Sequence, residues 1–380
     1  MKVVIVGAGP IGCYTARLLK QKGINPLLIE EHKEIGRPVH CAGVVGCEVF
    51  KRSALPLPLD SIRSHIDGAE IFYGKESFSL RRKNVAYVID REIFDKALGE
   101  SLEVMYETKF LGFEATKKGY TVETDKGDLP ADIIIGADGA VSRVRDAAGL
   151  NGDIRYFRGA QFRISTKERG ENFVKVYIKK PFFSWIVPEN DGFVRTGIIS
   201  ENPFCDLKQF LKEVKLDGQI MGKFGGMIPV GICQTVKGNV VLVGDAACQV
   251  KPLTHGGIFY GMRAAEILAD CIARARLSEY DRLWKARYGS EIRLGLYFKN
   301  IYEELSEKDL SVIFQVMRLS AKKIEKTGDF ENHSSIIIRI IKDKEIQRKL
   351  GPVLWNIFKS RLLPTDLIAG GRITKGGFDR

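Results

Sequence analysis

The run Val3-Val4-Ile5-Val6-Gly7-Ala8-Gly9-Pro10-Ile11-Gly12 decides how this chain is read. Four apolar residues make a buried strand and the glycines make a tight turn. Tyr14-Thr15-Ala16-Arg17-Leu18-Leu19 then continues as a helix. A second apolar run, Leu27-Leu28-Ile29, ends in Glu30. Each part has a physical reason. Gly7 turns the chain, Gly9 lets the backbone approach a pyrophosphate, and Gly12 lets the helix pack closely on the strand. The helix N-terminus offers unpaired N–H groups and a positive dipole end to phosphates. Glu30 is placed to accept hydrogen bonds from both ribose hydroxyls and would repel a 2′-phosphate. The expected dinucleotide is therefore FAD or NAD, not NADP.

Outward from this motif, the 380 residues suit two or three lobes. No stretch approaches the roughly 20 apolar residues needed to span a bilayer, and an N-terminus that is a buried strand is not a signal peptide. The seven cysteines are scattered with no Cys-x-x-Cys pair, which argues against a zinc ribbon or iron–sulfur cluster and for an intracellular protein. No His/Cys/carboxylate spacing suggests a metal site. The net charge of +12 fits an anionic membrane surface or a phosphorylated substrate. Nucleic acid is not expected, because no basic stretch is interleaved with aromatics.

Residues 66–90 alternate as strands, and Asp90-Arg91 opens a helix. Further strands are expected near 103–106, 109–114 and 119–124. The apolar run Ile133-Ile134-Ile135 reads as a buried parallel strand and leads into Gly136-Ala137-Asp138-Gly139. Residues 155–235 are strand-rich, with 161–164, 173–178 and 193–199 expected in one antiparallel sheet. Val240-Val241-Leu242-Val243 returns to an apolar strand before Gly244-Asp245, and a long helix begins near Gly257. From 280 onward the pattern is helical. His32, His65 and His333 have no evident partners and are expected at the surface.

Four motifs follow one another in the order used by the para-hydroxybenzoate hydroxylase-like FAD proteins. They are the turn at 7–12, Asp90-Arg91, Gly136 to Arg145, and Gly244-Asp245-Ala246-Ala247 with Pro252 and Gly256-Gly257. The chain resembles that superfamily over about residues 1–275. The resemblance implies an α/β fold with FAD as cofactor. Its Rossmann-type FAD-binding domain is discontinuous, covering 1–60, 85–150 and 236–275. An inserted antiparallel β-sheet substrate domain covers 61–84 and 151–235, and C-terminal helices cover 276–380. It also implies that Arg91 reaches the FAD phosphates or ribityl chain, as a planar cationic fork suits. Asp245 is placed to bond a ribityl hydroxyl; an unpartnered carboxylate at a buried strand end is costly without a polar cofactor. Asp138 helps close the crevice. The N–H groups at Gly256-Gly257 approach the flavin edge, where they stabilise its anionic reduced form. Ser142 and Arg145 read equally as cap and support of the next helix.

A more discriminating resemblance is to the geranylgeranyl reductase family. Pro181-Phe182-Phe183-Ser184-Trp185-Ile186-Val187-Pro188, followed by Gly192 and Gly197, is similar to its aromatic-x-Trp-x-Phe-Pro segment. Gly225-Gly226-Met227-Ile228-Pro229-Val230-Gly231 and the run 244–257 have counterparts there. His40-Cys41-Ala42-Gly43 is similar to its Cys-x-Gly loop facing the isoalloxazine, with Arg37 and Ala42 among the implied cofactor contacts. Val187 departs from the family's Phe, and Ile199 from the second glycine of its Gly-x-Gly.

The resemblance implies an FAD-dependent oxidoreductase that hydrogenates isolated C=C bonds of geranylgeranyl chains. The acceptor would be an archaeal-type ether phospholipid precursor or geranylgeranyl diphosphate. An external electron donor, ferredoxin or an NAD(P)H system, is required. The alternative is a monooxygenase of the same fold. A halogenase would need Trp where Phe183 stands, and a quinone oxidoreductase a C-terminal cysteine cluster. A lipid carrier that keeps FAD structurally would not need Cys41. Phe182, Phe183 and Trp185 are expected to line an apolar channel, or else to pack as a sheet core. Cys41 positions flavin or alkene, relays a proton, or is an inert thiol. His40 and His255 flank the implied flavin site as proton donors or cofactor contacts. The stripe Val353-Leu354, Ile357-Phe358 and Leu362, beside Trp355 and Arg348, Lys349, Lys359 and Arg361, reads as an interfacial helix on anionic lipid or as a cap on the substrate domain. The expected location is cytoplasmic, with peripheral contact at the inner face of the membrane.

Overall fold

A computed structural model describes residues 1–348 apart from His40, 168–170, Pro181, 190–191 and Glu345. The His40 and Pro181 readings and the stripe at 353–362 lie outside the described residues.

Apolar runs from distant parts of the chain build a six-stranded sheet. Its order is Val236–Lys237, Val240–Leu242, Ile133–Gly136, Val3–Val6, Leu27–Ile29 and Val104–Met105. The four pairings among the last five strands are parallel, and only the Val236–Lys237 edge is antiparallel. Strands covered on both faces read as continuous apolar runs, as these do. The order reverses at Val3–Val6: the chain continues to Leu27–Ile29 on one side and returns later to Ile133–Gly136 on the other. Such a switch point opens a crevice beyond the carboxyl ends of the strands.

Helix Pro10–Gln21 packs there against helix Ile258–Ala273. A Cβ on Gly261 would lie 2.7 Å from Ile11 Cγ1, so glycine permits the close crossing. A small antiparallel sheet, Phe110–Thr116, Gly119–Thr124 and Leu129–Ala131, lies to one side.

The second large sheet has eight strands in the order Gln219–Cys233, Gly152–Ser165, Phe193–Ile199, Phe183–Glu189, Phe173–Ile178, Ile62–Tyr73, Glu76–Ile89 and Val44–Gly46. It is antiparallel except where Phe173–Tyr177 runs parallel to Gly68–Phe72. The short strands expected over 66–90 are two long strands of one hairpin, with an irregularity between Ile66 and Gly68. Charged residues in their outer halves had broken the alternation.

The C-terminal helices Tyr280–Glu304, Glu307–Leu319, Ala321–Thr327 and His333–Ile341 complete the described fold. The first joins both halves. Trp284 and Tyr288 pack on Tyr260, Gly295 passes against Pro252, and Tyr302 Oη donates to Phe182 O at 3.0 Å. No helix among the described residues is long and apolar enough to cross a membrane.

Candidate active site

Four strand ends are stitched together at the switch point. Gly7 N donates to Ile29 O at 2.8 Å, Ala137 N to Val6 O at 2.8 Å, and Val243 N to Gly136 O at 2.9 Å. Gly7 has φ +98°, and a Cβ on it would meet Ala137 O at 2.5 Å. A Cβ on Gly12 would strike Gly7 O at 2.0 Å. At Gly9 the same construction meets nothing within 4 Å, so the backbone there faces open space. Gly9 caps helix Pro10–Gln21 without a side-chain hydrogen bond, which leaves its first N–H groups free for an anion. Glu30 is buried beside this turn. Its Oε2 accepts from Ala8 N at 2.8 Å, and its Oε1 from His32 N at 3.0 Å and His32 Nδ1 at 2.6 Å. His32, expected to be partnerless, instead orients the carboxylate.

Arg91 opens helix Arg91–Gly99, which Asp90 caps by accepting from Glu92 N and Ile93 N. Its guanidinium is gripped by Asp95 in two parallel bonds of 2.9 and 2.8 Å. Burial opposes the charge on Arg91, but the Asp95 carboxylate outweighs it and raises the pKa. Asp245 follows the Val240–Leu242 strand. Burial pushes its carboxyl above the usual range, against the pull of Arg91. Among the described residues no hydrogen bond reaches that carboxylate. A Cβ on Gly257, at the N-terminus of helix Ile258–Ala273, would lie 2.6 Å from its Oδ1. The cradle thus combines an open glycine backbone, a free helix N-terminus, an oriented Glu30 and an unpaired carboxylate. It fits the phosphate, ribose and ribityl groups of FAD.

Asp138 and Arg145 hold the next helix in place. Asp138 accepts from Ser142 Oγ at 2.6 Å and Val144 N at 3.0 Å, while Ser142 Oγ caps helix Arg143–Ala148 through Arg145 N. Buried Arg145 donates to Ala246 O, Ala140 O and Tyr156 Oη, tying two cofactor segments to the second sheet. Arg37 is exposed and paired with Glu34 and Glu92. Gly256 O accepts from Lys251 N at 3.0 Å.

Phe183 and Trp185 alternate on one face of a central strand, with rings 5.8 Å apart. Trp185 lies opposite Gly197. A Cβ there would come within 2.2 Å of the indole, so Gly197 makes the space for it. Trp185 Nε1 donates to Gln161 Oε1 and Gln161 Nε2 donates to Cys41 O, both at 3.4 Å. The Cys41-Ala42-Gly43 loop is also held by buried Arg195. Its Nη1 donates to Ala42 O at 2.8 Å and Ile89 O at 2.9 Å, and its Nη2 to Glu189 Oε1 at 2.7 Å. Arg163 Nε donates to the other Glu189 oxygen at 2.7 Å. Burial works against the Glu189 charge, but the two guanidiniums hold its pKa below the ordinary value.

On the other side His255 lies parallel to Phe183 at 6.0 Å and tilted to Phe157 at 5.6 Å. Burial, with the Lys299 ammonium beside it, brings its imidazole down to about 3. Lys299 Nζ lies 3.3 Å from His255 Nε2. The aromatic wall therefore joins the Cys41 loop to the His255-Gly256-Gly257 loop.

Gln161, Glu189, Arg195 and Lys299 escaped the sequence reading. Each is a polar residue in an otherwise regular pattern, and only pairing across the sheet or helix packing buries it. His65 is in edge contact with Tyr87. His333, expected at the surface, is half-buried and brought down to about 3, chiefly by burial. A surface hollow lined by Ile35, Lys96, Gly99 and Tyr106 shares no residue with the wall.

Comparison with known proteins agrees with this geometry. Residues 1–44 match the family pattern of an FAD binding domain. An uncharacterised protein of Methanocaldococcus jannaschii is 32% identical, covering 90% of this chain and 95% of its own. The digeranylgeranylglycerophospholipid reductase of Methanococcus vannielii is 31% identical, covering 82% of this chain and 89% of its own. A solved geranylgeranyl bacteriochlorophyll reductase-like protein of Thermoplasma acidophilum superposes with a TM-score of 0.79. It is 22% identical, over 92% of this chain and 98% of that one, and supports the fold.

Proposed function

This chain belongs to the geranylgeranyl reductase family of FAD-dependent oxidoreductases, and from that premise we propose that it hydrogenates isolated C=C bonds of geranylgeranyl chains on an archaeal-type ether phospholipid precursor. One observation carries the reading: Phe183 and Trp185 form an apolar wall tied on one side to the Cys41 loop and on the other to the His255-Gly256-Gly257 loop. Such a wall suits a hydrocarbon with no polar handle near its reacting carbons.

FAD, when bound, supplies the two-electron reduction. The protein's own residues do the rest. The N–H groups of Gly9, Ile11 and Gly12 would hold the pyrophosphate, Glu30 the adenosine ribose and Asp245 a ribityl hydroxyl. Arg91, aimed by Asp95, sets a positive charge beside the cofactor chain. Phe183 and Trp185 exclude water and align the alkene. Alignment matters most here, because no carbonyl activates the bond. Their ring faces stabilise positive character developing on carbon. Gln161 and Arg195 fix the Cys41 loop against the wall. The electron donor is an external reductant, ferredoxin or an NAD(P)H system. The net charge of +12 favours contact with an anionic membrane surface, where such lipids reside.

The test uses purified, FAD-loaded protein reduced with dithionite under nitrogen and given a digeranylgeranyl ether phospholipid. Mass spectrometry should find the lipid heavier by two hydrogens per bond reduced. Reduction of geranylgeranyl diphosphate alone would move the substrate to the free prenyl diphosphate. Oxygen-dependent hydroxylation without alkene reduction would replace the reading with a monooxygenase.

A further inference from the structure

Reducing an isolated alkene takes one hydride and one proton, and Phe183 and Trp185 supply no acid. The geometry behind them does. Lys299 is 4% exposed, on the helix Tyr280–Glu304 that bridges the two sheets. Its ammonium lies 4.2 Å from the Phe157 ring centre and 5.4 Å from that of Phe182. At 3.3 Å from His255 Nε2 it can only donate, so Nε2 accepts and the imidazole proton resides on Nδ1. That Nδ1 is buried and has no hydrogen-bond partner among the described residues. A histidine kept only for packing would normally have its buried N–H satisfied.

In the other direction Glu303 Oε1 lies 3.6 Å from Lys299 Nζ. Glu303 Oε2 lies 2.7 Å from Nη1 of Arg155, whose side chain is 42% exposed. Ionisable groups thus step from solvent to the aromatic wall.

We propose that Glu303, Lys299 and His255 form a proton-delivery line in which His255 Nδ1–H protonates the alkene. The proposal rests on the alkene-reductase reading. In the balanced step the π bond breaks. One C–H bond forms from the hydride of reduced FAD, which becomes FAD, and the other from the His255 Nδ1 proton. Lys299 Nζ gives a proton to His255 Nε2 as the Nδ1 proton leaves, so the acid is the imidazolium and the ring ends neutral with its proton on Nε2. Glu303 then passes a proton from solvent to Lys299, and the ring regains its Nδ1–H tautomer by exchange with solvent once product leaves.

The charges facing the line fit this role. Burial brings Lys299 down to about 8, with Glu303 opposing the shift and Arg155 adding to it. Lys299 is thus a reservoir that gives up its proton near neutrality. The His255 imidazole, near 3, is a reluctant base and a strong acid once protonated, as transfer to carbon requires. Lys299 is the charged group that faces it.

The test has two readouts on the full-length, FAD-loaded protein. The first is the pH profile of single-turnover flavin reoxidation by digeranylgeranyl ether phospholipid under nitrogen. The wild-type rate should fall above about pH 8, where Lys299 loses its proton. Lys299→Met should be slower by about 100-fold or more and lose that limb. Glu303→Gln should shift the limb to lower pH. The second readout needs no substrate. In NMR spectra of protein with isotope-labelled lysine, Lys299 is the signal absent from Lys299→Met. It should titrate near 8, and lower in Glu303→Gln. A Lys299 signal titrating above about 10, as a solvated lysine does, would overturn the proposal. So would a Lys299→Met protein with the wild-type rate and limb. An inactive wild type would instead remove the alkene-reductase reading.

Discussion

Substituting Gly197 with alanine tests whether the Trp185 wall does what the geometry implies. The added Cβ would stand 2.2 and 2.4 Å from indole atoms Cζ2 and Cε2, and 2.8 Å from Ala160 O. Carbon atoms settle at about 3.5–4.0 Å, so the indole must retreat by more than about 1 Å. The strand cannot give way instead, because Gly197 is paired with Trp185 on one side and Gln161 on the other. Overpacking of this kind costs about 1–3 kcal/mol. The displaced indole also loses its 3.4 Å bond to Gln161, and with it the link to the Cys41 loop. Denaturant unfolding followed by circular dichroism should register the destabilisation, and single-turnover alkene reduction should slow at unchanged flavin content. Trp185→Phe removes the atoms that clash. In the double variant the two costs should therefore fall short of their sum by about 1–2 kcal/mol. Strictly additive costs, or a Gly197→Ala enzyme with wild-type turnover, would refute the reasoning.

Asp245→Ala should lower FAD affinity by about tenfold to a hundredfold while leaving the flavin-free protein as stable or more so, because it removes a carboxyl that burial penalises; isothermal titration and thermal melts check both signs. Asp95→Ala strips Arg91 of its bidentate partner and should destabilise the fold by about 3 kcal/mol, read by denaturant unfolding. Glu189 has a folded pKa below its ordinary 4.5. Its stabilisation is therefore complete above about pH 4.5 and is lost as pH falls through the lower folded value. Acid titration of stability should show that loss in wild type and a flatter profile in Glu189→Gln. Trp185→Ala should impair turnover far more than flavin retention, read by paired rate and flavin absorbance.

The dinucleotide cradle was legible because its signals are local. Gly7, Gly9, Gly12 and Glu30 occupy one strand–turn–helix–strand unit, and their spacing carries the chemistry. Asp245 was legible for a different reason, as a carboxylate at the end of an apolar strand. The support of the wall was not. Arg195 and Glu189 read as ordinary charges on alternating strands, and only the register that sets Arg195 opposite both Arg163 and Val187 buries them together. Lys299 looks like one more charge on a polar helix until that helix crosses the end of the second sheet. His32 was misjudged because its partner, Glu30, had already been given to the ribose. Arg37 and Asp138 read as cofactor contacts only through the resemblance; the structure adds partners that the sequence does not show, Glu34 and Glu92 for the first and Ser142 and Val144 for the second.

The most direct measurement is rapid-scan absorbance of the dithionite-reduced, FAD-loaded protein mixed with digeranylgeranyl ether phospholipid in the strict absence of oxygen. If Phe183, Trp185 and His255 close a dry chamber in which an alkene meets the cofactor, the oxidised flavin spectrum should return in step with lipid saturation. A flavin that stays reduced until oxygen is admitted would contradict the account.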